Sequence, residues 1–310
     1  MYAARTVDPP APEQTAPLGT TRRATLRSML FVPGDRARKV EKALNELPAD
    51  AVILDLEDAI AVSAKRATRE PVAAALALPR RPRLYVRVNS VDTPWFFGDL
   101  DAVTRPGLDG VMLPKTANAG QVYLAGTYLT HLERERDLPL GGIELLPLIE
   151  NAAGALDVRR ICKQAARVRR IGFGATDFTT DIGATWTADE SELLFVLSQM
   201  VLCSREAGLE PPIDTVYPHF RDHEGYEFRC QRSRALGFGG RMCIHPDQLK
   251  PTNRIYQPTQ DEIAWARDVI TAFEEAESQG IAALTVRGQL VDYAFVVRAR
   301  QLLTRASLDA

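Results

Sequence analysis

The stretch LPLIENAAG, residues 146–154, ends an apolar run in a carboxylate, Glu150, and follows it at once with small, helix-compatible residues. A buried strand that ends in an acid and turns straight into a helix presents that acid at a sheet edge, where chemistry is done. One such acid has a plain alternative, a solvated charge starting a helix where the dipole favours anions. The chain, however, repeats the pattern. Glu57 and Asp58 follow AVILDL, Arg87 and Asn89 stand in LYVRVN, Lys115 follows GVMLP, Asp177 follows IGFGAT, Asp214 stands in PPIDT, and His245 follows RMCI. Acids, bases and a histidine gathered at run ends are costly unless the charges pair or bind something. Glu150 therefore reads as a residue of a site.

Positioning these residues together requires elements that all point one way. The apolar or β-branched runs are 28–32, 51–55, 84–88, 110–113, 145–149, 168–173, 212–215 and 242–244, each followed by a segment of helical composition, for instance 121–136 and 190–207. Alternating strands and helices in this number predict a (β/α)8 TIM barrel, an α/β fold in which the residues after each strand converge on one rim. Pro147 inside the fifth run weakens its regularity as a strand. A doubly wound open sheet is the alternative, but no G-x-G-x-x-G follows the first run to support a nucleotide fold. The expected organisation is a disordered tail over 1–25, a barrel over 26–250 and a C-terminal helical extension over 251–310.

The chain has 310 residues, 45% hydrophobic and 25% charged, enough to bury a large core without disulfides or metal. Lys and Arg total 38 against 40 for Asp and Glu. This balance gives no general basic field for nucleic acid or a membrane surface. Cys162, Cys203, Cys230 and Cys243 lack C-x-x-C spacing, which argues against zinc and fits reduced thiols in a cytoplasmic protein. No apolar run approaches a membrane span, and the proline-rich first residues lack the hydrophobic centre of a secretory signal.

The segments RSMLFVPGDRARKVEKAL, AVILDLEDAI, LYVRVN, GVMLPK, LLPLIENAAG, IGFGATDFTTDIG, PPIDTVY, LGFGGRMCIHPDQL and VRGQLVDYAFVVRARQLL, in this order, resemble the citrate lyase beta-subunit-like family, which includes malyl-CoA and citramalyl-CoA lyases. The resemblance implies a TIM barrel with a C-terminal extension and a Mg2+-dependent lyase. Such an enzyme makes or breaks the carbon–carbon bond of a 3-hydroxyacyl-CoA, giving an acyl-CoA and a 2-oxo acid. By the same resemblance Glu150 and Asp177 hold Mg2+, an arrangement with few protein ligands that leaves positions for substrate oxygens. Glu57 and Asp58 sit behind the metal, or are simply acids at a helix start. Arg87 contacts the oxo acid, where its fork suits an oxygen that gains charge, or forms a buried ion pair with Glu57. Phe31, Arg36 and Lys42 match coenzyme A positions, although a basic residue on a first helix is ordinarily just solvated. Asp292 matches an acid or base that closes over a neighbouring subunit's site, implying a homo-oligomer, a trimer or hexamer; a helix cap is its alternative.

His245 is of a residue type suited to acid or base work, but a histidine at a strand end before a proline reads as structural. His219 and His223 lack supporting ligands for a metal. Lys115 could invite a Schiff-base aldolase, which a Mg2+ pair makes redundant. Against the family pattern, Asn151 stands where threonine is common, Arg241 where lysine is usual, and Tyr293-Ala294 where a Met-Pro pair is usual. The rival functions are a citryl-thioester lyase subunit acting on an acyl carrier protein, a metal-dependent pyruvate aldolase, and a non-catalytic acyl-CoA-binding protein.

Overall fold

The computed structural model describes residues 25–164 and 166–308. The expected N-terminal tail lies outside these residues, apart from Thr25. Eight strands close a parallel barrel in chain order: β1 (Ser28–Pro33), β2 (Ala51–Asp55), β3 (Arg83–Arg87), β4 (Gly110–Leu113), β5 (Glu144–Ile149), β6 (Gly172–Phe173), β7 (Ile213–Asp214) and β8 (Gly240–Cys243), which returns to β1. Successive side chains on a strand point to opposite faces. Met29, Ala51, Ile53, Tyr85, Met112, Leu146, Leu148, Ile213 and Met242 accordingly fill the interior. The alternate residues, among them Leu30, Val52, Val86, Val111, Leu145 and Cys243, face the surrounding helices.

Those helices are α1 (Ala37–Asn45), α2 (Lys65–Ala75), α3 (Phe96–Val103), α4 (Ala119–Glu135), α5 (Ala152–Lys163), α6 (Ala175–Asp181), α7 (Leu194–Glu206), α8 (His223–Leu236) and α9 (Leu249–Tyr256). Local chemistry sets their starts. Asn118 caps α4 by accepting from Gln121 N, and Asn151 caps α5 by accepting from Gly154 N. The cap at Asn151 accounts for its departure from threonine, since both residue types serve there. The helix expected from Glu190 begins regularly only at Leu194, because Glu190 is left-handed (φ 51°) and a 3-10 turn intervenes.

Pro147 leaves β5 unbroken, pairing with Leu113. The sixth strand is shorter than the expected 168–173. Val168 makes only an isolated bridge to Leu145, and Arg170 turns to Glu144, its Nε 2.8 Å from Oε1. Tyr85 Oη donates to the other oxygen of Glu144 at 2.9 Å. This buried trio consumes the start of the run at the N-terminal end of the barrel.

The remaining chain forms α10 (Gln260–Ser278), a hairpin of β9 (Leu284–Val286) and β10 (Gln289–Val291), and α11 (Tyr293–Leu308). It has a core of its own, built from Ala266, Val269, Phe273, Val286, Val291, Val296 and Ala299. Helix α9 packs on β1 and β8, with Leu249 and Tyr256 in the main core. Among the described residues, no helix is long and apolar enough to cross a membrane.

Candidate active site

The inward phase of the strands decides which charged residues meet. Phe31 continues the phase of Met29, Asp55 that of Ala51 and Ile53, Arg87 that of Tyr85, and Glu150 that of Leu146 and Leu148. All four stand at the C-terminal ends of their strands, over the apolar plug. A pocket of about 320 Å3, including its open mouth, is lined by Phe31, Arg87, Leu148, Glu150, Asp177, Thr215, Val216, Met242 and the start of α6.

Glu150 is 4% exposed, and its Oε2 accepts a hydrogen bond of 2.7 Å from the amide of Lys115. Burial pushes its carboxyl up to about 8, and the negative charges of Glu57 and Asp177 add to the rise; the Lys115 amide and Arg87 oppose it. Asp177 reaches the pocket from the first turn of α6. Gly174 makes room for the Glu150 side chain, since a Cβ there would lie 2.4 Å from Glu150 Oε1. Two carboxylates lining one pocket, one of them buried, are a donor set suited to a divalent cation, whose charge would relieve their repulsion. Among the described residues no group of three or more His, Cys, Asp or Glu could hold a metal ion together.

Arg87 is held from within the protein. Its Nε and Nη2 edge is bound by Asp55, with Nε 2.8 Å from Oδ1 and Nη2 2.5 Å from Oδ2. One edge of the guanidinium is thus engaged within the protein, which leaves one N–H on Nη2 and both on Nη1 for Glu57 or a ligand. Glu57 Oε2 lies 3.1 Å from Arg87 Nη1 but off the N–H direction, an ion pair without a hydrogen bond. Phe31 packs its ring 4.7 Å from the guanidinium and so supports Arg87 inside the pocket.

Glu57 also receives Lys115 Nζ at 2.7 Å, and Asp58 lies 3.3 Å from the same ammonium. Burial raises the Glu57 carboxyl, more strongly than Arg87 and Lys115 lower it; Lys115 is held charged because its acidic partners outweigh its own partial burial. The loop carrying Glu57 is fixed from below by Lys65, whose Nζ donates to Glu57 O at 2.9 Å and Asn89 Oδ1 at 2.6 Å. Lys115 has φ 50°, a conformation that costs a non-glycine residue about 1–2 kcal/mol.

Thr215 closes the far wall. Its Oγ1 accepts from Ala175 N at 2.9 Å, its N donates to Asp214 at 2.8 Å, and the other Asp214 oxygen pairs with Arg241 Nη1 at 2.7 Å. Arg241, fully buried, thereby reaches the start of α6 through two residues.

The structure brings Phe31, Arg87, Glu150 and Asp177 into one pocket, with Glu57 and Asp58 at its edge. Arg36 and Lys42 are exposed on the first loop and helix and do not line it. Asp292 is exposed and caps α11, its Oδ1 accepting from Ala294 N at 2.9 Å. His245 accepts from Asp247 N in a capping box and stacks on Phe220. Asp181 accepts from Ala152 N, holding the start of α5.

A model of the HpcH/HpaI aldolase/citrate lyase family matches residues 27–246. The chain belongs to that family. Among relatives, the citrate lyase subunit beta of Leuconostoc mesenteroides subsp. cremoris is 34% identical, over 91% of this chain and 94% of its own. The (3S)-malyl-CoA thioesterase of Cereibacter sphaeroides strain KD131 is 35% identical, over 92% and 95%. The crystal structure of CitE from Mycobacterium tuberculosis with magnesium, acetoacetate and coenzyme A superposes with a TM-score of 0.76 at 30% identity, covering 92% of this chain and 99% of that one. The family is of lyase and aldolase type, and the barrel is its fold.

Proposed function

We propose that this protein is a Mg2+-dependent carbon–carbon lyase that interconverts a 3-hydroxyacyl-CoA with an acyl-CoA and a 2-oxo acid. The observation that carries the reading is the pocket itself, in which the inward carboxylates Glu150 and Asp177 face Arg87 over an apolar floor. The complex of CitE with magnesium and coenzyme A supports the same choice of metal and thioester. When bound, Mg2+ would polarise the oxo-acid oxygens. Glu150 and Asp177 would hold it.

In the cleavage direction the hydroxyl proton leaves, the carbinol carbon becomes the carbonyl of the oxo acid, and the electron pair of the broken bond passes to the acyl-CoA α-carbon, which is then protonated. Arg87 directs its remaining N–H donors at the oxygen that gains charge, where a fixed donor outperforms water. Asp55, Glu57 and Phe31 hold Arg87 in place. Leu148, Val216 and Met242 keep water from the floor. Arg36 and Lys42 meet the coenzyme outside the pocket. Asp292 of a neighbouring subunit handles the proton at the α-carbon, which makes the enzyme a homo-oligomer, a trimer or hexamer. Exposed Leu156 on α5 and Phe195 and Leu202 on the adjoining α7 support such assembly.

The test is purified protein with Mg2+ and malyl-, methylmalyl-, citramalyl- and citryl-CoA in turn, following glyoxylate, pyruvate, oxaloacetate and free coenzyme A. Release of an oxo acid with intact acyl-CoA supports the reading. Free coenzyme A without oxo acid marks a thioesterase, and activity only on free hydroxy-oxo acids marks an aldolase; either result overturns it.

A further inference from the structure

Lys115 is the one described residue that hydrogen-bonds both Glu150 and Glu57. Its amide reaches Glu150 Oε2 at 2.7 Å, and its ammonium, at the other end of the same residue, reaches Glu57 Oε1 at 2.7 Å. The turn between them is closed on its other flank. Thr116 N donates to Leu148 O at 3.1 Å, on the strand that carries Glu150, and Thr116 Oγ1 donates to Leu113 O at 2.9 Å. Lys115 itself sits at φ 50°. Glycine would relieve that conformation while keeping the amide, so a lysine here points to a use for the side chain. Glu57 in turn lies 3.1 Å from Arg87.

We propose that Lys115 is a positioning residue, a two-ended clamp that fixes the Glu150 carboxylate relative to Glu57 and Arg87 and thereby sets the affinity of the pocket for its divalent cation. The cation part rests on the Mg2+ reading above. The clamp itself is a statement about geometry that the metal-free protein can test. On charge alone, removing an ammonium from beside a cation site strengthens cation binding. The clamp requires the opposite sign, because an untethered turn leaves Glu150 free to rotate away from Asp177.

The experiment compares wild type with Lys115→Gly and Lys115→Arg by calorimetric titration with MgCl2. In parallel, hydrogen exchange of the Lys115 amide is followed in metal-free wild type and Glu57→Gln. The clamp expects Mg2+ affinity to fall at least tenfold in Lys115→Gly and to recover in part in Lys115→Arg. It also expects the Lys115 amide to exchange at least tenfold faster in Glu57→Gln. Affinity that is unchanged or tighter in a folded Lys115→Gly protein overturns the role in cation binding. Unchanged amide exchange overturns the clamp whether or not metal binds. Wild type with no Mg2+ affinity overturns the Mg2+ reading and leaves the exchange result to decide the clamp.

Discussion

Burial and two neighbouring acids hold the Glu150 carboxyl up at about 8 against an ordinary 4.5, and two linkages take their sign from that. Because the folded state binds this proton more tightly than the unfolded chain, its contribution to stability is fully present below the ordinary value. It is lost as pH rises through about 8. Metal-free protein should therefore melt at progressively lower temperature over that window, and Glu150→Gln, which needs no proton, should flatten the slope. Mg2+ competes with the same proton, so its affinity should rise about tenfold per pH unit below the Glu150 midpoint and level off above it; calorimetry across the window that finds no proton release would sink the assignment. Arg87 gives a second expectation. Arg87→Lys keeps the charge but cannot fill the paired bonds to Asp55. Turnover should fall at least tenfold, about 1.4 kcal/mol of barrier, and a folded variant with normal turnover would reduce Arg87 to a structural ion pair. The ends of the strands were legible in sequence, and so were Glu150, Asp177 and Arg87 as rim residues. Asp55 was not. It closes an apolar run like any strand terminus, and only the register that sets it beside Arg87 reveals its role.

The C-terminal end of every strand lies within one residue of the expected run, but the sixth strand begins at Gly172 rather than at 168. β1 to β5 are continuous runs whose alternate residues separate cleanly into interior and outer layer, whereas β6 and β7 keep two residues each and rely on side chains for their places. The Arg241–Asp214–Thr215–Ala175 series is such a device, and it spans three elements that the sequence separates widely. Thr215→Val keeps the shape and removes the acceptor for Ala175 N, leaving that buried amide unpaired. Stability should fall by about 1–3 kcal/mol. Because the amide lies two residues before Asp177, the KM for the oxo acid should rise more than kcat falls, and Thr215→Ser should restore it. An unchanged KM would show that α6 finds its place by packing alone. Arg241→Met is the deeper cut. It strands Asp214 in a layer closed to solvent, where breaking a buried pair costs about 3–5 kcal/mol, measurable by denaturant titration. Arg241→Lys, the residue usual in the family pattern, should lose less.

At the scale of the whole molecule, the polar ties that join the extension to the barrel include Arg234 to Glu262 and Arg305 to Gly239 O, and the extension keeps its own apolar core. Its chain order could be read from the helical spacing after Asp292, but its docking could not, because a small helix–hairpin–helix unit with a closed core carries no pattern that names its neighbour. The cap at Asp292 accounts for the residue within one chain: its Oδ1 accepts from Ala294 N and Phe295 N, neither of them a pocket-lining residue. A cap alone would make Asp292→Asn nearly harmless, since asparagine caps as well as aspartate does. The shared-site proposal expects that variant to fold with normal melting and Mg2+ affinity yet lose most turnover. Mixing carries the distinction further. Asp292→Asn and Glu150→Gln chains, each inactive alone, should regain part of the wild-type rate when unfolded together and refolded, because some subunit contacts then join an intact pocket to an intact carboxylate. Mixed oligomers that stay inactive, or full activity in a monomer, would return Asp292 to its cap and leave the proton at the α-carbon to a group of the same chain.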